Sequence, residues 1–383
     1  MKYQVASMLE RREYTFDLDF LIYPTASNDG RSISIIIPIS PLYPLSCTLH
    51  SLASVPGEGH LIARLLPNGI SGLVKATFQY PLKIITPPSP VGDLKSALAF
   101  LLTYGGGLVA GDKVNLKIDV HPSAKLTLAT QGHTKIFKSS IPTFKSSQTL
   151  SVTLHATSAL CLLPDPVQPF ADSVYVQSQI FTLHPTATLC LLDWVTAGRT
   201  SRNENWDFTS WSGRNEVWRA AAEDDTEDKA RPRLLLRDNL ILDGDALTPD
   251  DSTVALPLKD KMHALSVFGT LILAGPLMAP LSAFFLAEFS AQPRIGARDF
   301  RSQEAVERDG KTEASDEEAW RARRLKQEKE DGVLWSAAKV RGCTVVKFGS
   351  KSVEGGRKWV GGMILRHGGV VEVFGEDAVM CVR

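Results

Sequence analysis

The sequence predicts a mainly β protein of stacked strand-turn-strand layers, solenoid- or sandwich-like, with a few short helices. Three observations carry this prediction. First, Val114, Leu116, Ile118 and Val120 fall on one side of residues 114–120 while Asn115, Lys117 and Asp119 fall on the other, the period of a half-buried strand. Second, "IDVHPSAKLTL" (118–128), "VTLHATSALCL" (152–162) and "FTLHPTATLCL" (181–191) repeat a strand, a His, a small-residue turn and a second strand. Their histidines, His121, His155 and His184, lie 34 and 29 positions apart, a spacing that suits stacked units. Third, no alternation of strands with helices occurs, which argues against a doubly wound parallel sheet.

The elements follow in order. Residues 1–58 are apolar in places ("SISIIIPISPLYPLSCTL") but broken by Pro38, Pro41 and Pro44, and form an irregular extension outside the main fold. The β domain runs over 59–383. Its first marked feature, "YGGGLVAGDKVNLKIDV" (104–120), formally contains Gly105-x-Gly107-x-x-Ala110 and comes close to a phosphate loop. A phosphate cradle needs a helix directly after the glycines. Here a strand follows, so the glycines serve a turn. The repeated units come next, then two polar insertions, "AAEDDTEDKARPR" (221–233) and the region 301–331 with "DEEAWRARRLKQEKED", read as a solvated loop and an exposed helix. Between them, residues 264–288 run without a charge for about 24 residues, long enough to span a bilayer. Gly275, Pro276 and Pro280 break this run into a buried strand and a short helix, so no membrane span is expected. Strands resume after Asp331 ("TVVKFGS", "VVEVFG").

Composition narrows the function. Lys and Arg number 42 and Asp and Glu 42, so no global field favours nucleic acid or an anionic membrane. Five scattered cysteines without a CxxC suit a reducing compartment, the cytoplasm. His121, His155 and His184 would share one edge if the units stack, where three imidazoles could bind Zn or Ni, although a His at a turn mouth is common punctuation. Asp165, Asp193 and Asp238 beside apolar strands could do acid–base work, as in a β-rich hydrolase using Asp165 or Asp193, or could cap turns and pair with Arg199 or Arg237. No nucleophile motif accompanies them. A β-solenoid binding module unrelated to metal is a third reading.

Four stretches in sequence order, "YGGGLVAGDKVNLKIDV", "LATQGHTKIFKS" (128–139), "LLPDPVQPFADSVYVQ" (162–177) and "LLDWVTAGRTSRNENWDF" (191–208), resemble the urease accessory protein D family, UreD or UreH. The resemblance covers about residues 59–383 and is densest over 104–208. Gly106, Gly107, Leu108, Val109, Gly111 and Asp112 match the first motif, with Ala110 where the family commonly has Gly. Thr130, Gln131 and Lys135 match the second, in which Gly132-His133 departs from the usual small residues; His133 could tune a metal path or simply face solvent, and the latter is the favoured reading. Pro164, Asp165, Pro166, Pro169 and Phe170 match the third, and Asp193, Gly198, Arg199, Glu204 and Trp206 the fourth. The resemblance implies a non-enzymatic scaffold that binds apo-urease and the urease accessory proteins F and G, the latter a GTPase that carries nickel. It also implies that Ni²⁺ passes through the protein as transient cargo, with no permanently bound cofactor. A conduit that must release its cation should offer oxygen and a few nitrogen ligands. Asp112, Asp165 and Glu204 are the candidate carboxylates of such a path, with Arg199 and Lys135 holding them.

Overall fold

The computed structural model describes residues 55–87, 95–141, 143–221, 231–244, 256–292 and 315–383. The expected extension over 1–58 therefore lies outside the described residues except at its end, as do most of 221–233 and of 301–315. The described strands are β1 (Glu58–Leu65), β2 (Ser71–Phe78), β3 (Leu82–Ile85), β4 (Ala97–Thr103), β5 (Gly107–Leu108), β6 (Lys113–Val120), β7 (Lys125–Ala129), β8 (Thr134–Ile136) and β9 (Ser146–Leu154). They continue with β10 (Ala159–Leu162), β11 (Val167–Pro169), β12 (Val174–Leu183), β13 (Thr188–Thr196), β14 (Ser210–Arg219), β15 (Arg233–Asp243), β16 (Val267–Ala274), β17 (Leu334–Val340) and β18 (Cys343–Ser350).

The fold is mainly β, as the sequence predicts, and the repeat is its generator. In each unit the first strand joins one sheet, the chain turns, and the second strand joins the other. β6, β9 and β12 lie parallel in a seven-stranded sheet ordered β15-β14-β12-β9-β6-β1-β2. β7, β10 and β13 lie parallel in an eleven-stranded sheet whose main path runs β17-β18-β16-β13-β10-β7-β4-β3. The turns stack with the strands. The Thr157 amide donates to Thr186 Oγ1 at 2.9 Å, and the Ser123 and Thr157 hydroxyls lie 2.8 Å apart. His121 and His155 stack with ring centroids 5.2 Å apart, whereas His184 bonds its own turn through Thr186.

Two cores result. The first fills the space between the sheets with the inward residues of β6, β9, β12, β7, β10 and β13. The second lies on the outer face of the eleven-stranded sheet, where Cys161, Cys190, Leu192, Trp194 and Phe348 meet the helices Ala279–Ser290 and Val353–His367. A sheet covered on both faces needs continuous apolar strands. That is why all nine residues of β13, "TLCLLDWVT", are buried, with Asp193 its one charged side chain. The uncharged run 264–288 divides as expected into β16 and the helix Ala279–Ser290. Among the described residues no helix is long and apolar enough to cross a membrane.

The segment read as a merely exposed helix is different in kind. Asp316–Glu330 is a helix with a Ser315–Glu318 capping box, but Arg324 and Glu328 are buried. Arg324 reaches Glu288 Oε2 at 3.1 Å and Glu328 Oε1 at 2.6 Å. The indole N–H groups of Trp335 and Trp359 both donate to Glu328 Oε1 at 2.9 Å. Charge density along the segment signals solvent, and only tertiary contacts reveal that two of those charges point inward.

Candidate functional site: a polar cavity between the sheets

A partly open cavity of about 60 Å³ lies between the sheets, where roughly 10–15 Å³ suffices for one water. Most inward positions between the sheets are apolar, but here the row turns polar. On β12 the inward positions read Tyr175, Gln177, Gln179 and Phe181, and the two glutamines sit where alternation demands core residues. On β13 the facing position is Asp193, paired in register with Thr270 of β16, itself paired with Lys347 of β18.

Asp193 is held by amides. Gln177 Nε2 donates to its Oδ1 and Asn215 Nδ2 to its Oδ2, each at 2.7 Å. Both amides are braced from behind: Tyr175 donates its hydroxyl to Gln177 Oε1 at 3.3 Å, and Gln179 Nε2 donates to Asn215 Oδ1 at 3.0 Å. Among the described residues no cationic side chain bonds this carboxylate, which is 9% exposed and lines the cavity. Burial raises its pKa above the ordinary Asp value, the amide hydrogen bonds oppose the rise, Asp238 adds to it and the Lys347 ammonium opposes it. Burial, helped by Asp193, likewise pushes the Tyr175 phenol up. Asp238 is neutralised by Lys347 at 2.6 Å.

Asp165 lines the same cavity but is tied differently. Its amide donates to Thr130 Oγ1 at 2.7 Å, and that hydroxyl donates back to Oδ2 at 3.2 Å. The Gly132 amide also donates to Oδ2, at 2.9 Å, and Arg357 of the helix Val353–His367 bonds Oδ1 at 2.9 Å. Cys381 places its thiol 3.4 Å from the Thr130 carbonyl, and burial pushes that thiol up to about 11. His133 is half-buried and does not simply face solvent as read from sequence. Burial holds its imidazole below the ordinary value, with Asp165 pulling the other way.

The remaining expected residues are placed as follows. Asp112 Oδ2 accepts from the Val109 amide at 2.9 Å, closing the Gly-rich turn in which Gly106 and Gly111 have φ of +75° and +89°. Gly107 is extended and paired with Lys135, where an added Cβ would lie 2.5 Å from the Lys135 carbonyl. The strand β6 follows the turn directly, as expected of a turn and not of a phosphate cradle. Glu204 accepts from Arg199 Nε through both oxygens at 2.9 Å, and this pairing holds its carboxyl below the ordinary value. The Arg199 guanidinium stacks 3.8 Å from the Phe170 ring centroid. Beside it Gly198 has φ +117°, and the Trp206 indole donates to the Leu265 carbonyl at 2.7 Å. The Pro164 carbonyl accepts from the Trp194 indole at 2.8 Å, Pro166 is buried and Gln131 exposed. Thus Asp165, Thr130, Pro164 and Asp193 meet at the cavity, and neither Asp112 nor Glu204 lines it. The expected alternative pairings of the aspartates are corrected: Arg199 pairs with Glu204 and Arg237 with Glu216, whereas Asp165 takes Arg357 and Asp238 takes Lys347.

Among the described residues no three His, Cys, Asp or Glu side chains gather closely enough to hold a metal ion, the three turn histidines included. The four described cysteines are buried and without a disulfide, and Cys47 lies outside the described residues.

The sequence profile described as UreD urease accessory protein matches residues 56–378. The chain belongs to this family. Among UreD relatives it is 32% identical to an "Uncharacterized urease accessory protein ureD-like" of Schizosaccharomyces pombe, over 74% of this chain and 84% of that protein. It is 28% identical to "Urease accessory protein 4" of Cryptococcus neoformans over 78% and 86%. It is 30% identical to "Urease accessory protein UreD" of Anaeromyxobacter sp. over 78% and 82%. A UreD-family chain has a role in urease maturation, in which accessory proteins work with urease and with one another.

Proposed function

We propose that this protein is a scaffold and conduit that passes Ni²⁺ to the active site of urease, with the cavity at Asp193 as part of the path. One observation carries the reading: Asp193 is a buried carboxylate whose hydrogen-bond donors are neutral amides, so its oxygens can take a passing cation without breaking an ion pair. Asp165, though held by Arg357, supplies a second carboxylate on the same cavity. Oxygen donors of this kind hold a borderline cation without trapping it as a thiolate cage would. In this reading the partners are apo-urease and the accessory proteins F and G, the latter a GTPase, and the work takes place in the cytoplasm. Asp112 and Glu204, the other carboxylates of the expected path, serve their own turn and loop. A hydrolase using Asp165 or Asp193 is the weaker alternative, since the partners of both carboxylates are amides, a guanidinium and a hydroxyl.

The test is urease activation in cells that supply the other components, with the nickel content of purified urease as readout. Asp193→Asn, which keeps the shape and removes the charge, is expected to lower activation and nickel content at least tenfold while the protein stays folded. Asp112→Asn and Glu204→Gln are expected to have smaller effects. Full activation by the double variant Asp165→Asn/Asp193→Asn overturns the reading.

A further inference from the structure

The Gly-rich turn and its surroundings expose an apolar, lysine-rimmed face that the cavity does not use. Tyr80 and Tyr104 lie 5.7 Å apart between ring centroids, with Lys83 Nζ 5.6 Å over the Tyr104 ring. The chain continues through the exposed Gly105 and Gly106, where an added Cβ would meet open space, to β5, which pairs with β8 at Lys135. Val109 follows, and its carbonyl accepts from Ser146 Oγ at 2.8 Å, which draws in the 139–146 loop. Phe144 of that loop leans on Gly111, and its amide bonds the Ile141 carbonyl. Tyr80, Tyr104, Val109, Ile141 and Phe144 are each between 43% and 58% exposed, so large apolar side chains along one connected ribbon face outward. A patch of this kind marks an interaction site.

Charge says what fits it. Lys83, Lys113, Lys135, Lys138 and Lys145 occupy the same ribbon, and among the described residues none of them makes an ion pair. Asp112 on the ribbon is bound to its own turn, Asp172 adjoins at the rim through a Ser139–Asp172 backbone bond, and the exposed Glu58 adjoins beside Tyr80 and Lys113. A chain with no net charge thus carries a local excess of lysine around aromatic and aliphatic side chains. Aromatic centres with a charged rim are the anatomy of a protein interface, and the lysines steer an oppositely charged partner. The ribbon also flanks the cavity, since Thr103 and Thr134 line it and are followed directly by Tyr104 and Lys135.

We infer that this face docks a partner protein through an acidic surface bearing apolar side chains, next to the cavity. The inference rests on the family's accessory role for its need of protein partners, but not on the identity of the cargo. The experiment measures binding of the full chain to purified apo-urease and to each of the other urease accessory proteins of the same organism. Wild-type affinity for one of them should fall steeply as salt rises. Lys135→Glu/Lys138→Glu/Lys145→Glu should weaken that binding at least tenfold, and Phe144→Asp by a similar factor, with far-UV circular dichroism unchanged. Lys259→Glu/Lys261→Glu/Lys339→Glu, which alters net charge equally at exposed sites elsewhere, should stay within twofold. Wild-type affinity in both patch variants overturns the inference and leaves the conduit untouched. Loss of binding to phosphatidylserine vesicles, with protein binding intact, also overturns it and assigns the lysines to a membrane. Failure of the wild-type chain to bind any of these proteins overturns the inference together with the proposed partners. Asp193→Asn should bind normally, separating docking from passage.

Discussion

Among the buried carboxylates of this molecule, two sites are built on opposite plans. Behind the eleven-stranded sheet, Glu288 and Glu328 are enclosed by Arg321, Arg324 and two indole N–H groups, so every charge has an opposite charge in contact. Between the sheets, Asp193 has amide donors and open space. A fully compensated cluster holds elements together and has nothing left for a ligand. An under-compensated carboxylate costs stability and keeps an affinity for cations, the profile of a functional group. Arg324 shows that the first plan is itself not flawless, because its Nε is buried without a partner.

The largest effect that would test this contrast is at Arg324. Arg324→Met leaves Glu328 buried with indole donors but no opposite charge, and Glu288 with Arg321 alone, and should cost about 3 kcal/mol in urea unfolding. A loss below about 1 kcal/mol would show that the cluster is not the fastener described. Arg357→Met should cost about 2 kcal/mol, because the Asp165 carboxylate keeps its Thr130 and Gly132 donors and loses only the charged one. Asp193→Asn should change stability by no more than about 1 kcal/mol and in the opposite sense at neutral pH, a gain. The sign follows from its raised pKa. Below 3.8, the ordinary value, Asp193 is protonated folded and unfolded, so the substitution is neutral. Above it the unfolded Asp ionises first, the wild type loses stability until the folded pKa is passed, and the variant pulls ahead. A urea-midpoint difference that is flat with pH would break the comparison. Glu204 should behave as its mirror image: Arg199 lowers its pKa, so the stability lost in Glu204→Gln is present above 4.5, the ordinary Glu value, and fades as acid passes through the lowered folded pKa. The smallest effect is at Asp112, where Asp112→Asn keeps an acceptor for the Val109 amide and should cost a few tenths of a kcal/mol at most.

The coils were legible because three strand-turn-strand stretches share one pattern and a parallel stack has one way to align them. Their turns were legible too, down to the stacked His121 and His155. The cavity was half legible. "YVQSQIF" places Gln177 and Gln179 on the face of Tyr175 and Phe181, two polar residues at core positions, and period-2 counting alone could have found them. Asn215, Lys347 and Arg357 could not be found that way, because they reach the site through pairings 22 to 192 positions apart in the chain. The same distance hid the role of the 316–330 helix, whose charges read as solvated until Glu288 lies against them. Motif membership did not separate roles either: Asp112 and Glu204 sit in family motifs as firmly as Asp165, yet they serve a turn and a loop.

The clasp between Asp165 and Arg357 also bears on how the protein is made. A ribosome that has synthesised the chain as far as β13 has already produced all three parallel coils, but the guanidinium that closes on Asp165 arrives 192 residues after its partner. Until then the outer face of β10 and β13, with Cys161, Cys190, Leu192 and Trp194, has no helix Val353–His367 to cover it. The nascent chain therefore carries a partly uncovered apolar sheet face through much of its synthesis, an exposure that invites aggregation until the last helix closes over it.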